Sequence, residues 1–522
     1  METGQAILSK EGARHEGDEQ HMAAERLTPI VAQGRNCWRI ARADKAAVIV
    51  DAANYYRIIA AAMEMAQKRI FIVGWDFDTR IALAPDEHGK GETLGRFFLR
   101  LARDKPGRQI DILKWNFGAL KQLRHASAVV WLLRWKRTKA IDYRFDASHP
   151  VGCSHHQKIV VIDGRLAACG GIDISADRWD TSAHLDDDPH RISPDGKPYT
   201  PWHDATMLMQ GEVAERLSEL GRERWKTATR AELEKIEPCD QQWPPELGVM
   251  FENVDIAIAR TRAAYDQLPE VREIEALTLD MIVAAKRFCY IENQYFTSAT
   301  IGAAIAKRMA EPDPPEFVLV MPRYADGWLE QKAMDAGRLK LIRAIGRVDT
   351  MNRFRVYVPV TKDGTDIYAH AKISIVDDRL LRVGSANLNN RSQGLDSECD
   401  VIIDAALSAN HGSKAAMTAL RHRLIAEHLD CTPEEVASEE QARGSMVGAI
   451  EALRGPGKTL ELLENEDLGE VEDFIADNEL LDPKRAEMMF EPMSKRGLAL
   501  SWARGRAMVE TRIGKRGASR GR

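Results

Sequence analysis

Apolar positions along the chain fall into two alternating periods. From Ala52 to about Gln67 they recur at helical spacing, and the apolar run Ile70 to Val73 that follows reads as a strand. The same succession returns from Glu273 to Ala285 and from Phe288 to Ile291. "KRIFIVGWDF" from Lys68 matches "KRFCYIENQYF" from Lys286, and the strand-like "IDYRF" from Ile141 matches "FRVYV" from Phe354. Helix and strand alternate through both stretches. This predicts an α/β fold of two similar lobes, each a mixed, mostly parallel sheet flanked by helices with right-handed crossovers.

A second repeat is sharper. "CSHHQKIVVIDGRLAACGGID" runs from Cys153, and "HAKISIVDDRLLRVGSAN" from His370. Counted from His156, Lys158 lies two on, Asp163 seven on, Gly170 and Gly171 fourteen and fifteen on, and Asp173 seventeen on. Counted from His370, Lys372, Asp377, Gly384, Ser385 and Asn387 fall at the same steps. The copies stand 214 residues apart, and the strands from Lys68 and Lys286 stand 218 apart. Each copy reads as strand, turn, strand, with Asp163-Gly164 as the first turn. Period two puts His156 and Lys158 on one strand face and Gln157 on the other. The expected organisation is a polar tail (1–26), a first lobe (27–250), a second lobe (251–430) and a helical C-terminal extension (431–522), with the pseudo-twofold site between the lobes.

Composition narrows the function classes. A net charge of -6 argues against a general nucleic-acid binder. Seven cysteines, an odd number without a CxxC pair, point to buried thiols in a reduced compartment. The opening lacks the basic-then-apolar pattern of a secretory signal, and Asp51 and Arg57 interrupt the best apolar stretch. The expectation is a soluble protein, cytoplasmic or peripheral at a membrane, or exported without a classical signal.

One imidazole beside one ammonium makes an anion site. Two such copies facing each other across a phosphate make a reaction centre. One histidine attacks phosphorus; the other protonates the leaving oxygen and then activates the incoming water or alcohol. Lys158, Lys372 and Asn387 would neutralise the phosphoryl oxygens, so neither a metal nor another cofactor is required. A nucleophilic imidazole needs an acceptor on its other nitrogen. Asp204, 48 residues beyond the first histidine, and Glu398, 28 beyond the second, are the candidate orienting acids. The inserted loop His184 to Thr200 accounts for most of the difference.

These motifs resemble the two HxKxxxxD motifs of the phospholipase D superfamily. "IENQYF" (Ile291 to Phe296), "PWHD" (Pro201 to Asp204) and "GGID" are similar to the branch that hydrolyses phosphatidylcholine. The resemblance spans about Lys45 to Ile425. It implies a phosphohistidine intermediate with His156 as nucleophile, a glycerophospholipid substrate, and water or a small alcohol as acceptor. The expected enzyme is a monomeric phosphodiesterase that meets lipid at a membrane or vesicle surface, without nucleic acid. Gly170, Gly171, Asp173, Gly384, Ser385, Trp202 and Asn293 are the candidate substrate-binding residues. Cardiolipin or phosphatidylserine synthesis, a nuclease, and a non-catalytic lipid-binding scaffold are the rivals.

Blander readings apply elsewhere. Asp163 and Asp377 fit turn positions and are taken as support for the catalytic set, not as direct participants. His155 points away from His156 and reads as structural; for His203 a surface hydrogen bond is as good an account as a place near the site. Asp186 to Asp188 lack calcium-loop spacing and read as a solvated loop. Trp75, Trp115, Trp131, Trp135, Trp179, Trp202 and Trp328 serve either as core or as an apolar lip for lipid. Thr432-Pro433-Glu434-Glu435 predicts a capped helix start. Thr459 to Asp482 holds ten acidic residues and no Lys or Arg, whereas Lys484 to Arg522 holds eleven Lys and Arg against three Glu.

Overall fold

The computed structural model describes residues 28–85, 91–116, 126–239, 242–325 and 328–463. The polar opening, nearly all of the acidic stretch and the basic end lie outside the described residues, as does the side chain of Trp328.

The first half contributes strands β1 (Arg39–Val50), β2 (Arg69–Gly74), β3 (Gln109–Trp115), β4 (Ile141–Asp146), β5 (Ile159–Ile162), β6 (Leu166–Gly170), β7 (Trp202–His203) and β8 (Ala205–Gln210). The rest contributes β9 (Phe251–Arg262), β10 (Val271–Arg272), β11 (Phe288–Glu292), β12 (Glu316–Val320), β13 (Phe354–Val360), β14 (Tyr368–Ala369), β15 (Ile373–Val376), β16 (Leu380–Gly384), β17 (Glu398–Asp404) and β18 (Thr459–Leu462). One continuous sheet runs β18-β13-β12-β11-β15-β16-β17-β9-β1-β8-β6-β5-β2-β3-β4. Read outward from the β1–β9 seam, the two halves follow the same order. The seam is antiparallel, with Ala41 opposite Ile256, and a pseudo-twofold passes between those strands.

The sheet corrects one expectation. Parallel pairing within it is confined to β2-β3-β4 and β11-β12-β13; the remaining described pairs are antiparallel. Each histidine motif is a tight hairpin, β5–β6 or β15–β16, and a hairpin reverses strand direction. The lobes also share a single sheet instead of owning one each.

Period-two alternation sorts side chains between faces. Val48, Phe71, Val161, Tyr290, Ile375 and Val401 belong to a core that runs through both halves. Helices Glu212–Thr229 and Lys414–His428 close this face through Leu217 and Leu424. On the other face, Ile70, Ile72 and Val160 pack with helix Ala52–Met65, while Cys289, Ile291 and Val376 pack with helix Glu273–Ala284. Both helices start and stop within two residues of the sequence expectation.

After Cys431 the chain forms helix Pro433–Arg443, whose Thr432–Glu435 capping box is complete, and helix Met446–Leu453. The extension is not purely helical: β18 adds to the edge of β13. The seven cysteines form no disulfide. Among the described residues no helix is long and apolar enough to cross a membrane.

Candidate active site

Each motif's lysine immediately precedes the first strand of its hairpin, with the histidine two residues before it, and the far turn is held by the motif's aspartate. Asp163, at φ 53, accepts backbone N–H groups of Gln67, Lys68 and Arg69 at 2.6–2.8 Å. Asp377, also at φ 53, accepts those of Lys286, Arg287 and Phe288 at 2.7–2.9 Å. Their carboxylates fasten the hairpins to the starts of β2 and β11, at the opposite end of β5 and β15 from the lysines. Neither faces the histidines, so both are support and neither belongs among the reacting groups.

The histidine ends of the motifs cross between halves. The His156 N–H donates to Ser397 O at 2.9 Å, and the Ser154 N–H donates to the Asp396 carboxylate at 2.7 Å. Symmetrically, β14 runs parallel to β7, and the His370 N–H donates to His203 O at 2.7 Å. Each histidine therefore meets the acid of the opposite half. His156 Nδ1 lies 3.0 and 3.1 Å from the two Glu398 oxygens, and His370 Nδ1 lies 2.7 Å from Asp204. Offsets counted from each acid's own-half histidine do not reveal this exchange. An Nδ1–H donated to carboxylate leaves Nε2 with its lone pair free.

Burial and charge set the protonation. Burial, then Lys158 and Lys372, hold His156 well below the usual imidazole range. Burial, then Lys372, Arg178 and Lys158, do the same to His370. The lysines of both halves thus act on both rings. Burial also raises the acids, Glu398 to about 8, against the pull of Lys158 and the hydroxyls of Ser385 and Ser392. Those hydroxyls donate to Glu398 at 2.5 and 2.7 Å. On the other side, the Ala205 N–H donates to Asp204 at 2.7 Å.

The lysines differ. Lys158 pairs with Asp173 at 3.2 Å and donates to His156 O at 2.8 Å. Lys372 donates to His370 O and to Gln294 Oε1, the latter at 3.2 Å; among the described residues no carboxylate is in salt-bridge contact with it. Burial lowers it to about 7, opposed by Asp204 and aided by Lys158. Asn387 donates to the same Gln294 oxygen at 3.4 Å, and its own buried Oδ1 has no hydrogen-bond donor.

Several candidate substrate contacts have other work. A Cβ at Gly170 would lie 2.4 Å from Thr206, at Gly171 2.1 Å from Asp204 Oδ1, and at Gly384 1.9 Å from Asp400 Oδ1. These glycines let the acid-bearing strands close up. Ser385 spends its hydroxyl on Glu398. Asn293 Oδ1 accepts the Tyr295 and Leu388 N–H groups, so the side chain beside Lys372 is Gln294, one residue later. Trp202 does stand at the site, stacked on Tyr368 at 4.5 Å, 5.1 Å from the His370 ring and under Arg178 at 4.1 Å. Trp75 meets the His156 ring edge-on at 6.1 Å and stacks on Trp115. Trp135 is fully buried among Phe77, Phe98 and Tyr143 and is core, not lip.

Gln294, Ser392 and Arg178 escaped the sequence reading. Ser392 and Arg178 each lie 22 residues beyond their half's histidine, so following the register five residues past Asn387 and Asp173 would have reached them. His155 is structural as expected, bridging Ser397 and Asp146. His203, by contrast, is completely buried and not a surface residue.

Residues 62–245 match the family described as "Phospholipase D", and residues 278–416 match "Cardiolipin synthase, PLD-like domain". Together the two matches cover more than half of the chain. The chain belongs to the phospholipase D superfamily. Among curated relatives of this superfamily, phospholipase D1 of Saccharomyces cerevisiae is 26% identical over 75% of this chain and 29% of its own length. Phospholipase D A of Dictyostelium discoideum is 24% identical over 74% of this chain and 35% of its own length. The chain therefore spans about a third of these two relatives. A phosphatidylserine synthase structure from Haemophilus influenzae aligns over 72% of this chain and 86% of its own, at 15% identity and a TM-score of 0.47.

Proposed function

We propose that the protein is a phospholipase D-type phosphodiesterase and transphosphatidylase acting on glycerophospholipids, phosphatidylcholine or phosphatidylethanolamine, at a membrane surface. Nε2 of His156 attacks phosphorus, forming a P–N bond as the P–O bond to the head group breaks. His370 gives its proton to the departing oxygen. Phosphate charge arriving between the lysines raises the proton affinity of His370 relative to the empty site. Water or a small alcohol then loses its proton to His370 and attacks phosphorus. The P–N bond breaks, and phosphatidate or a phosphatidyl alcohol leaves.

The observation that carries this reading is the crossed pair of His–carboxylate contacts, His156 to Glu398 and His370 to Asp204, with both lysines acting on both rings. Two imidazoles oriented alike can take opposite roles in one displacement. The similarity of residues 278–416 to a cardiolipin synthase domain supports a second use of the same intermediate, transfer to a lipid alcohol.

Incubation with phosphatidylcholine vesicles and a primary alcohol should give the phosphatidyl alcohol and free choline. Release of diacylglycerol would mean that the other phosphodiester bond is cut, and would overturn the proposal. Phosphatidylglycerol offered as acceptor separates the lipid-transfer reading, which requires a cardiolipin product.

A further inference from the structure

Beside the site, reaching His203 next to Asp204, lies a buried cluster that the reaction does not use. Asp51 follows β1, His184 opens the inserted loop, His203 ends β7, and Glu427 belongs to helix Lys414–His428. The side chains of Asp51, His184 and His203 are fully buried and that of Glu427 is 5% exposed. One ligand atom from each comes within 4.8 Å of all the others. We propose that these four side chains form a tetrahedral zinc site.

The first support is geometric. Zinc held at about 2.0–2.1 Å by nitrogen and oxygen ligands separates neighbouring ligand atoms by about 3.3 Å. His203 Nδ1 lies 2.9 Å from Glu427 Oε1 and 3.2 Å from Asp51 Oδ1, and His184 Nε2 lies 3.2 Å and 3.9 Å from the same two oxygens. Three of these edges lie within about 0.4 Å of the required length, and the His184–Asp51 edge, at 3.9 Å, would have to shorten on binding.

The second is an orphaned atom. Asp51 Oδ1 is fully buried and receives no hydrogen bond of good geometry, His203 Nδ1 at 3.2 Å being its nearest donor, whereas Oδ2 accepts one from Ser182 at 2.7 Å. A buried carboxylate oxygen without a donor costs on the order of 1–3 kcal/mol, and a cation at the centre of the cluster removes that cost.

The third is the outer shell. Metal-binding imidazoles usually donate their other N–H to a carboxylate, which fixes tautomer and ring angle. His184 Nδ1 is 2.9 Å from Asp180, and His203 Nε2 is 2.8 Å from Glu292. Two carboxylates and two neutral imidazoles balance a divalent cation, and this mixed donor set suits zinc better than calcium or magnesium. Glu427 also lines a surface cleft of about 880 Å³, together with Asp430 and Ser182, through which an ion can enter. A metal there ties the inserted loop and a second-half helix to β7, whose last residue, His203, precedes Asp204. It is independent of whichever reaction the two histidines perform.

The test is metal content. The full chain is purified, stripped with a chelator, offered a modest excess of zinc and passed through gel filtration, and zinc is then counted by mass spectrometry. We expect about one zinc per chain, a rise in melting temperature on reloading, and the visible bands of tetrahedral cobalt when cobalt replaces it. Asp51→Asn, nearly isosteric, and His184→Ala should each lose the ion, whereas His190→Ala, in the same loop but outside the cluster, should keep it. Wild-type protein that emerges with far less than one equivalent overturns the proposal. So does retention by folded Asp51→Asn equal to that of wild type.

Discussion

Exchange of acids between the halves makes a kinetic prediction that own-half pairing does not. Glu398→Gln removes the acceptor of His156 Nδ1, and Asp204→Asn removes that of His370 Nδ1. Each contact is a buried hydrogen bond, at 3.0 and 2.7 Å. Leaving its buried partner unsatisfied costs about 1–3 kcal/mol, roughly 5- to 150-fold in rate at about 1.4 kcal/mol per decade. A tautomer effect adds to this. Gln keeps one acceptor oxygen, but where its amide nitrogen faces His156 it donates, so Nδ1 must accept and the proton moves to Nε2. The attacking lone pair is then lost, and in triad hydrolases an equivalent error costs about 10⁴-fold. Glu398→Gln should therefore slow the attack by about 10- to 10⁴-fold whatever leaves. Asp204→Asn should depend on the leaving group, because His370 must protonate choline oxygen but p-nitrophenolate departs unaided. The assay is the pre-steady-state burst with phosphatidylcholine and with a phosphatidyl p-nitrophenyl ester. Asp204→Asn should lose at least about 10²-fold on the first substrate and less than about 10-fold in the burst on the second. A p-nitrophenol burst restored in Glu398→Gln but not in Asp204→Asn would refute His156 as the nucleophile served by Glu398.

Gly171→Ala puts a Cβ 2.1 Å from Asp204 Oδ1; it should cut kcat at least about 10-fold by moving that acid, and a variant as active as wild type would show that Asp204 is not held in place there. Burial brings Lys372 down to about 7, so in the free enzyme it is charged below that pH and neutral above. kcat/KM should fall as pH rises through that range, whereas the limb in kcat should lie higher because bound phosphate favours the ammonium; coincident limbs in the two profiles would count against it. Asp163→Ala leaves the N–H groups of Gln67, Lys68 and Arg69 without their acceptor and should cost about 2–4 kcal/mol in urea unfolding, with activity per folded molecule largely kept. An unfolding midpoint equal to wild type would remove its structural role.

What was legible in the chain was local or repeated. His156 and His370 stand out because the same residue types recur at the same steps behind them, and helices Ala52–Met65 and Glu273–Ala284 because one amphipathic period runs unbroken through each. What was illegible depended on contacts between distant segments. Strand direction was misjudged because alternation of helix and strand does not say how the hairpins β5–β6 and β15–β16 insert between the parallel strands and the seam. The pairing of Asp204 with His370 rests on β7 meeting β14, two-residue strands too short to carry any period. For His203 a surface hydrogen bond and a place near the site stayed equally open because its surroundings, Asp51, Glu292 and Glu427, come from three widely separated segments. The glycines were visible but their cause was not: Gly171 and Gly384 are set by neighbouring acids on the next strand, a clash that appears only once the strands are paired.

In the proposed reaction a duplicated site faces a chemical difficulty, since one histidine acts as nucleophile while its symmetry mate is acid and base. Two identical halves would offer no preference. The pseudo-twofold is broken at the positions that touch the reacting groups. Where the second half has Ser385, whose hydroxyl holds Glu398, the first has Gly171, which leaves room for the shorter Asp204. Where the first half pairs Lys158 with the carboxylate of Asp173, the second surrounds Lys372 with the amides of Gln294 and Asn387. Ser392 adds a further donor to Glu398, while Arg178, at the matching register, adds positive charge near His370. The result is one imidazole whose acid is locked by two hydroxyls and another that feels Arg178 in addition to the two lysines that act on both rings. The first environment favours a fixed neutral tautomer. The second lets proton affinity rise when substrate arrives and fall when it leaves, which is what a group that gives a proton and then takes one requires.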